Sequence, residues 1–175
     1  MCGFVCGTDS SWNYDAALKA IAHRGPDAED LVRGDPFHVG FCRLSIIDLR
    51  EIANQPMLAD DGESWVVFNG EIYGYKRLRG QLERAGQSFR TDSDTEVVLR
   101  AYLVWGDDFV DRLDGMFAIA IWDSNSRELK LWRDRPGIKP LYYYFDGRRF
   151  GFASELKALT IACRGENLET DETAL

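Results

Sequence analysis

Two pairs of strand-length apolar runs, each closed on itself by a short polar turn, restrict this chain more than any other feature. Phe117 to Trp122 and Glu128 to Trp132 flank Asp123-Ser124-Asn125-Ser126, while Tyr142 to Phe145 and Phe150 to Ala153 flank Asp146-Gly147. Asp-Gly between apolar runs is a strong hairpin signal, so antiparallel sheet is required. Gly3 to Gly7, Val39 to Asp48 and Trp65 to Tyr73 read as further strands. Helical spacing appears over Tyr14 to Ala22 (Ala17, Leu18, Ile21) and over Tyr75 to Ala85 (Leu78, Leu82, Ala85), the latter stopped by Gly86. Ser93 and Glu96 stand at capping-box spacing before Val97, Val98, Ala101, Tyr102 and Trp105, and Glu155 to Cys163 is a last helical stretch. The sum is an α+β fold. Pattern alone does not choose between two stacked sheets flanked by helices and a simpler two-layer arrangement.

Length and charge narrow the class. At 175 residues the chain suits one domain with its own core. Its 21 Lys+Arg against 29 Asp+Glu give a net charge of -8, which argues against a nucleic-acid binder because such proteins present basic stripes. No apolar run nears the roughly 18 residues of a membrane helix, and the start turns polar at Thr8-Asp9-Ser10-Ser11. A cytoplasmic protein is expected. With two His and no C-x-x-C among Cys2, Cys6, Cys42 and Cys163, no metal site is expected, and the cysteines read as thiols rather than a disulfide framework.

Cys2 occupies the one chemically special place. Removal of Met1, normal before so small a residue, would leave an N-terminal cysteine. An α-amine with pKa of about 7.7–8 beside a thiol of about 8.5 is a nucleophile with its own base. Gly3 then reads as room for a substrate to reach the backbone. By position alone, a small core cysteine is the commoner reading. Asn69-Gly70, left to itself, reads as a type I′ turn.

The surrounding motifs change both readings. Met-Cys-Gly at the start, His23-Arg24-Gly25-Pro26-Asp27, Arg43-Leu44-Ser45-Ile46-Ile47-Asp48, Gln55-Pro56, Phe68-Asn69-Gly70-Glu71-Ile72-Tyr73, Ser93-Asp94-Thr95-Glu96, Leu113 to Ala118, and Arg133-Asp134-Arg135 through Lys139-Pro140-Leu141-Tyr142 follow one another in order. The chain thereby resembles the glutaminase domain of class II glutamine amidotransferases, asparagine synthetase type, from residue 2 to about 159. The resemblance implies a four-layer α/β/β/α N-terminal-nucleophile hydrolase fold with two stacked antiparallel sheets. It implies a glutaminase domain over 1–163, with 164–175 as a linker or the start of a missing synthetase domain.

It also implies roles. Cys2 matches the nucleophile, and Asn69 and Gly70 match an oxyanion hole made of a side-chain amide and a backbone N–H. Arg43 matches a clamp on the glutamine α-carboxylate, Asp94 and Glu71 match acceptors for its α-ammonium, and backbone groups at Leu44, Ile46 and Ile47 are expected to assist. One cation and two carboxylates suit a free zwitterionic amino acid, which makes L-glutamine the expected partner. An ammonia-accepting synthetase domain or subunit is the other, and a homodimer stays open. ATP and Mg are expected only in that missing domain or partner, since no Ser-Gly-Gly loop stands in this chain.

Other residues read as structural. His23 and Asp27 belong to a loop near the site, and Arg133, Asp134 and Arg135 look like an ion-pair network. Phe41-Cys42, Gly74 and Pro136 depart from the usual pattern without removing a proposed catalytic group, and Cys6 is a conceivable oxidation partner for Cys2. Two rival functions stand beside glutaminase: a glutamine-binding or assembly module with little hydrolysis, and an N-terminal-nucleophile amidase acting on another amide.

Overall fold

The computed structural model describes residues 2–163. In chain order it contains β1 (Gly3–Gly7), α1 (Tyr14–Ile21), β2 (Ala28–Arg33), β3 (His38–Arg43), β4 (Met57–Leu58), β5 (Trp65–Ile72), α2 (Tyr75–Arg84), α3 (Asp94–Trp105), β6 (Gly115–Asp123), β7 (Glu128–Arg133), β8 (Tyr142–Phe145), β9 (Phe150–Ala153) and α4 (Leu156–Ala162). The strands form two sheets, ordered β2-β3-β1-β9-β8 and β4-β5-β6-β7. Every pairing within them is antiparallel. Among the described residues no helix is long and apolar enough to cross a membrane. The expectation for 164–175 lies outside the described residues.

Alternation along the strands builds four layers. In β1, Phe4 and Cys6 join Val39, Phe41 and Phe152 against Trp65, Val67, Ala118 and Ala120 of the other sheet. Small residues on β6 leave space there for the large aromatics opposite. Val5, Cys42 and Ala153 face the other way, onto Leu18 and Ile21 of α1 and Ala158 and Leu159 of α4. Val66, Phe68, Ile119 and Ile121 pack on Leu78 and Leu82 of α2 and on Val97, Val98 and Ala101 of α3. The stacked-sheet architecture holds, and the two-layer alternative does not.

Several local expectations are revised. The run from Val39 stops pairing at Arg43, and residues 44–50 form a loop that leads into a short 3-10 turn at Glu51–Ala53 instead of a longer strand. Strand β2 (Ala28–Arg33) is half-exposed and charged, an edge strand that hydrophobic patterning misses. The capping box at Ser93 is half closed: Ser93 Oγ accepts from the Glu96 N–H at 3.3 Å, but the Glu96 carboxylate turns to the N–H groups of Arg90 and Thr91. Asp134 makes no ion-pair network with its neighbours. It accepts backbone N–H groups from Phe117, Ile138 and Lys139, while Arg133 donates to the carbonyls of Gly137 and Lys139.

Cys6 is fully buried between the sheets, four residues along one strand from Cys2. At about 3.3 Å per residue that is about 13 Å, whereas a disulfide wants Cα atoms about 4.4–6.8 Å apart. It is not placed to pair with Cys2. Of the departures from the family pattern, Phe41 fills the inter-sheet core and Cys42 packs toward α1 with its thiol against the Leu18 carbonyl. Gly74 takes a left-handed φ of 62° just before α2.

Candidate active site

The site gathers where β1 begins and β5 runs past it. Cys2 is half-buried, and its Sγ receives the Leu44 N–H at 3.4 Å while lying 3.7 Å from the Leu44 carbonyl. Burial pushes the thiol above its ordinary value, and the Leu44 N–H pulls the other way. Burial lifts Cys42 further, to about 12, and it faces the helices. Of the four cysteines only Cys2 lines the cavity.

Asn69 and Gly70 are not a turn. They lie within β5, opposite Ala118 and Phe117 of β6. Gly70 is demanded by space, because a Cβ there would stand 2.3 Å from the Met116 carbonyl oxygen. Its backbone N–H is left open by the ladder. Across from it, Phe117 donates its N–H to Asp134 Oδ2 and gives its carbonyl to the Asp134 N–H, so the pair is not hydrogen-bonded. Phe68 and Ile72, which share Gly70's direction along the strand, have their N–H groups taken by Gln55 Oε1 at 2.6 Å and Asp94 Oδ2 at 3.1 Å. Gly70, between them, presents its N–H to the cavity.

Asn69 is buried, and the carboxamide orientation that satisfies both neighbours puts its nitrogen on the Cys2 carbonyl at 2.9 Å and its oxygen on Arg24 Nη2 at 3.2 Å. One amide N–H is thus used and a second remains. Gly3 does not make room for a substrate as expected. A Cβ on it would stand 2.9 Å from Arg24 Cδ, so it makes room for Arg24.

Arg43 is buried and anchors the loop that follows it. It donates from Nη1 to the Arg50 carbonyl at 2.9 Å and to Asn54 Oδ1 at 2.7 Å, and from Nη2 to the Asp48 carbonyl. Three of an arginine's five N–H donors are spent, and the two that remain are enough for a two-point grip on a carboxylate. Asp94, in the first turn of α3, is buried too, and desolvation pushes its carboxyl up to about 6 against the backbone N–H groups it accepts. Glu71, next along β5, is exposed. Ile46 is 73% exposed and lines the cavity together with Leu44 and Ile47.

All nine residues singled out in the sequence line one cavity of about 150 Å³. Drug-sized ligands need about 300–1,000 Å³, so this one fits a single small metabolite. Cations and carboxylates share its wall. Three contributors were not foreseen. Gln55 completes the edge of β5 by bonding both backbone groups of Phe68. Lys139 is buried in the wall, where desolvation and then the nearby Arg24 charge hold its ammonium below the usual lysine value. Arg24 reaches Cys2 and Asn69 directly. Gln55 and Lys139 belong to sequence motifs, but which backbone groups they meet is decided by the fold. His23 Nε2 lies at 3.0 Å from Glu155 Oε1, and Asp27 accepts the Ser45 N–H at 2.7 Å.

Stacked antiparallel sheets between helical layers, with a cysteine at the head of a central strand, are the architecture of the N-terminal-nucleophile amidotransferases. Accordingly, the fold matches the glutamine phosphoribosylpyrophosphate amidotransferase of Bacillus subtilis with a TM-score of 0.77 at 21% identity, over 93% of this chain and 44% of that one. A second solved structure, an allosteric regulatory enzyme of purine biosynthesis, matches with a TM-score of 0.68 at 18% identity, over 93% of this chain and 43% of that one. The chain belongs to the glutamine amidotransferase domain family, whose model matches residues 1–175. It is 45% identical over 155 residues to asparagine synthetase [glutamine-hydrolyzing] 1 of Bacillus subtilis strain 168, covering 89% of this chain and 24% of that protein. It is 42% identical over 146 residues to amidase chry2 of Gibberella zeae, covering 82% of this chain and 22% of that one. This chain therefore spans about a quarter of the length of these curated relatives.

Proposed function

We propose that this domain hydrolyses free L-glutamine to glutamate and ammonia, and that the ammonia feeds an asparagine-synthetase-like amidation. One observation carries the reading: a thiol, two unspent N–H donors on adjacent residues and an Arg–Asp pair of opposite charge all face one small cavity. After loss of Met1, the Cys2 α-amine takes the thiol proton, directly or through water. A base is needed because burial holds that thiol above its ordinary value. The thiolate attacks the side-chain amide carbon, and the carbonyl electrons move to oxygen, which the Asn69 amide and the Gly70 N–H receive. Collapse breaks the C–N bond as the ammonium of Cys2 returns its proton to departing ammonia, leaving a glutamyl thioester. Water then attacks that thioester through the same oxyanion and frees glutamate and the thiol.

The zwitterion clamp gives the substrate. Arg43 receives the α-carboxylate, and Asp94 with Glu71 receives the α-ammonium, which excludes a glutamine within a peptide. Backbone groups of Leu44, Ile46 and Ile47 shape the rest of the grip. ATP and Mg chemistry belongs, in this reading, to a synthetase domain or partner. The test is ammonia release from glutamine by the purified domain. Cys2→Ala is expected to abolish it, and equal release by Cys2→Ala would refute the mechanism. Tight glutamine binding without turnover in the unaltered chain would favour a binding module instead.

A further inference from the structure

Arg24 and Glu155 form a fixed line of contacts into the site that the catalytic reading does not use. The Arg24 side chain is 10% exposed and spends its guanidinium on three partners: Nε on the Cys2 carbonyl at 3.0 Å, Nη2 on Asn69 Oδ1 at 3.2 Å, and Nη1 on Glu155 Oε1 at 2.9 Å. Two glycines make this route possible. Gly3 leaves the space that Arg24 crosses, and Gly25 lets the following backbone lie against β3, where a Cβ would come within 2.4 Å of the Arg43 nitrogen. Glu155 stands just before α4 without a capping bond from its side chain, and burial of its carboxyl is outweighed by bonds from Arg24 and Lys157, which hold it below its ordinary value.

The chemistry of the end groups gives the line its function. A carboxamide has almost the same shape in both flip states, but only one presents N–H groups toward Cys2. A guanidinium has donors and no acceptor, and a carbonyl oxygen has no donor. Arg24 beside one end of the amide and the Cys2 carbonyl beside the other therefore admit only one orientation. The opposite flip would set the Asn69 oxygen against the Cys2 carbonyl, and would aim a lone pair where negative charge develops.

We infer that Arg24, held by Glu155, is a positioning residue that locks the Asn69 amide with its donors toward the reacting carbonyl. The inference rests on the glutaminase reading above. It places the control of the oxyanion site at the N-terminus of α4, on the far side of the first sheet's central strands from β5. Loss of the lock lowers turnover and leaves substrate binding intact, because neither residue touches the zwitterion clamp.

The experiment is steady-state glutamine hydrolysis by the unaltered domain, Arg24→Lys, Glu155→Gln, Asn69→Ala and the double variant Arg24→Lys/Asn69→Ala, each checked for fold by circular dichroism. Misplacement of a catalytic group costs up to about 100-fold. Arg24→Lys is expected to lower kcat by about that factor with KM within about threefold, and Glu155→Gln, which keeps its shape, by about tenfold. In the Asn69→Ala background, Arg24→Lys should cost less than about threefold, since there is no amide left to orient. Equal losses with and without Asn69, or a change confined to KM, would overturn the inference. Should Arg24→Lys fail to fold, Glu155→Gln with and without Asn69 carries the same comparison. An unaltered domain that releases no ammonia would overturn the functional reading itself, whereas equal losses with and without Asn69 in a domain that does release it would overturn the lock alone.

Discussion

Asn69-Gly70 and Asp146-Gly147 are the same kind of dipeptide and end in opposite structures. At Gly147 the backbone takes φ 90°, and an added Cβ would meet nothing within 4 Å. There, glycine is needed for conformation, and the β8–β9 hairpin turns on it. At Gly70 the chain stays extended within β5, and an added Cβ would run into the Met116 carbonyl. Here glycine is needed for space. Two aspartates repeat the contrast: Asp146 accepts the Arg149 and Arg148 N–H groups in an exposed turn and is held well below the usual carboxylate range, whereas burial pushes Asp94 up to about 6. A local signal names a residue's options, and the neighbouring chain selects among them.

The sharpest way to break this contrast is Gly70→Ala. Overpacking against backbone typically costs about 1–3 kcal/mol, and displacing an oxyanion donor costs about 100- to 1,000-fold in rate. Both a lower unfolding midpoint and a near-complete loss of glutamine hydrolysis are expected; a variant with unchanged kcat would show that the Gly70 N–H plays no part.

Titration gives the intermediate effect. Asp94 carries its charge above pH of about 6 and loses it below. Because kcat/KM reports the free enzyme, a second acid-side fall, below the one that protonation of the Cys2 α-amine causes, should appear near that value. Asp94→Asn should remove this second limb along with most of kcat/KM, and its persistence unshifted in the variant would assign it to another group. The smallest effect belongs to Gly147→Ala. A left-handed non-glycine residue costs about 1–2 kcal/mol, so chemical denaturation should register it while kcat and KM stay put.

The sequence carried the strands and helices wherever apolar periodicity was strong, including α2, α3 and both hairpins. It missed β2, whose Glu29, Asp30 and Arg33 face solvent on a sheet edge, and it overran β3 into the loop that Arg43 ties down. Stacking of the sheets was not legible in pattern alone, since Phe117 to Trp122 is apolar on both faces and gives no alternation to read. The site residues came from family resemblance rather than from spacing. Gln55, Arg24 and Lys139 stand in motifs read from the sequence, but their roles escaped it because their work is done on backbone groups and charges brought near only by the fold. Gly3 was read for the wrong neighbour for the same reason.

The central claim is that Cys2 becomes the N-terminal residue and carries the acyl group. Mass spectrometry of the N-terminal peptide, after acid quench of the domain mixed with glutamine, tests it most directly. The account predicts a peptide that begins at Cys2 and bears a glutamyl thioester on that residue. A turning-over enzyme that retains Met1, or that carries no acyl group on Cys2 under single-turnover quench, would contradict it.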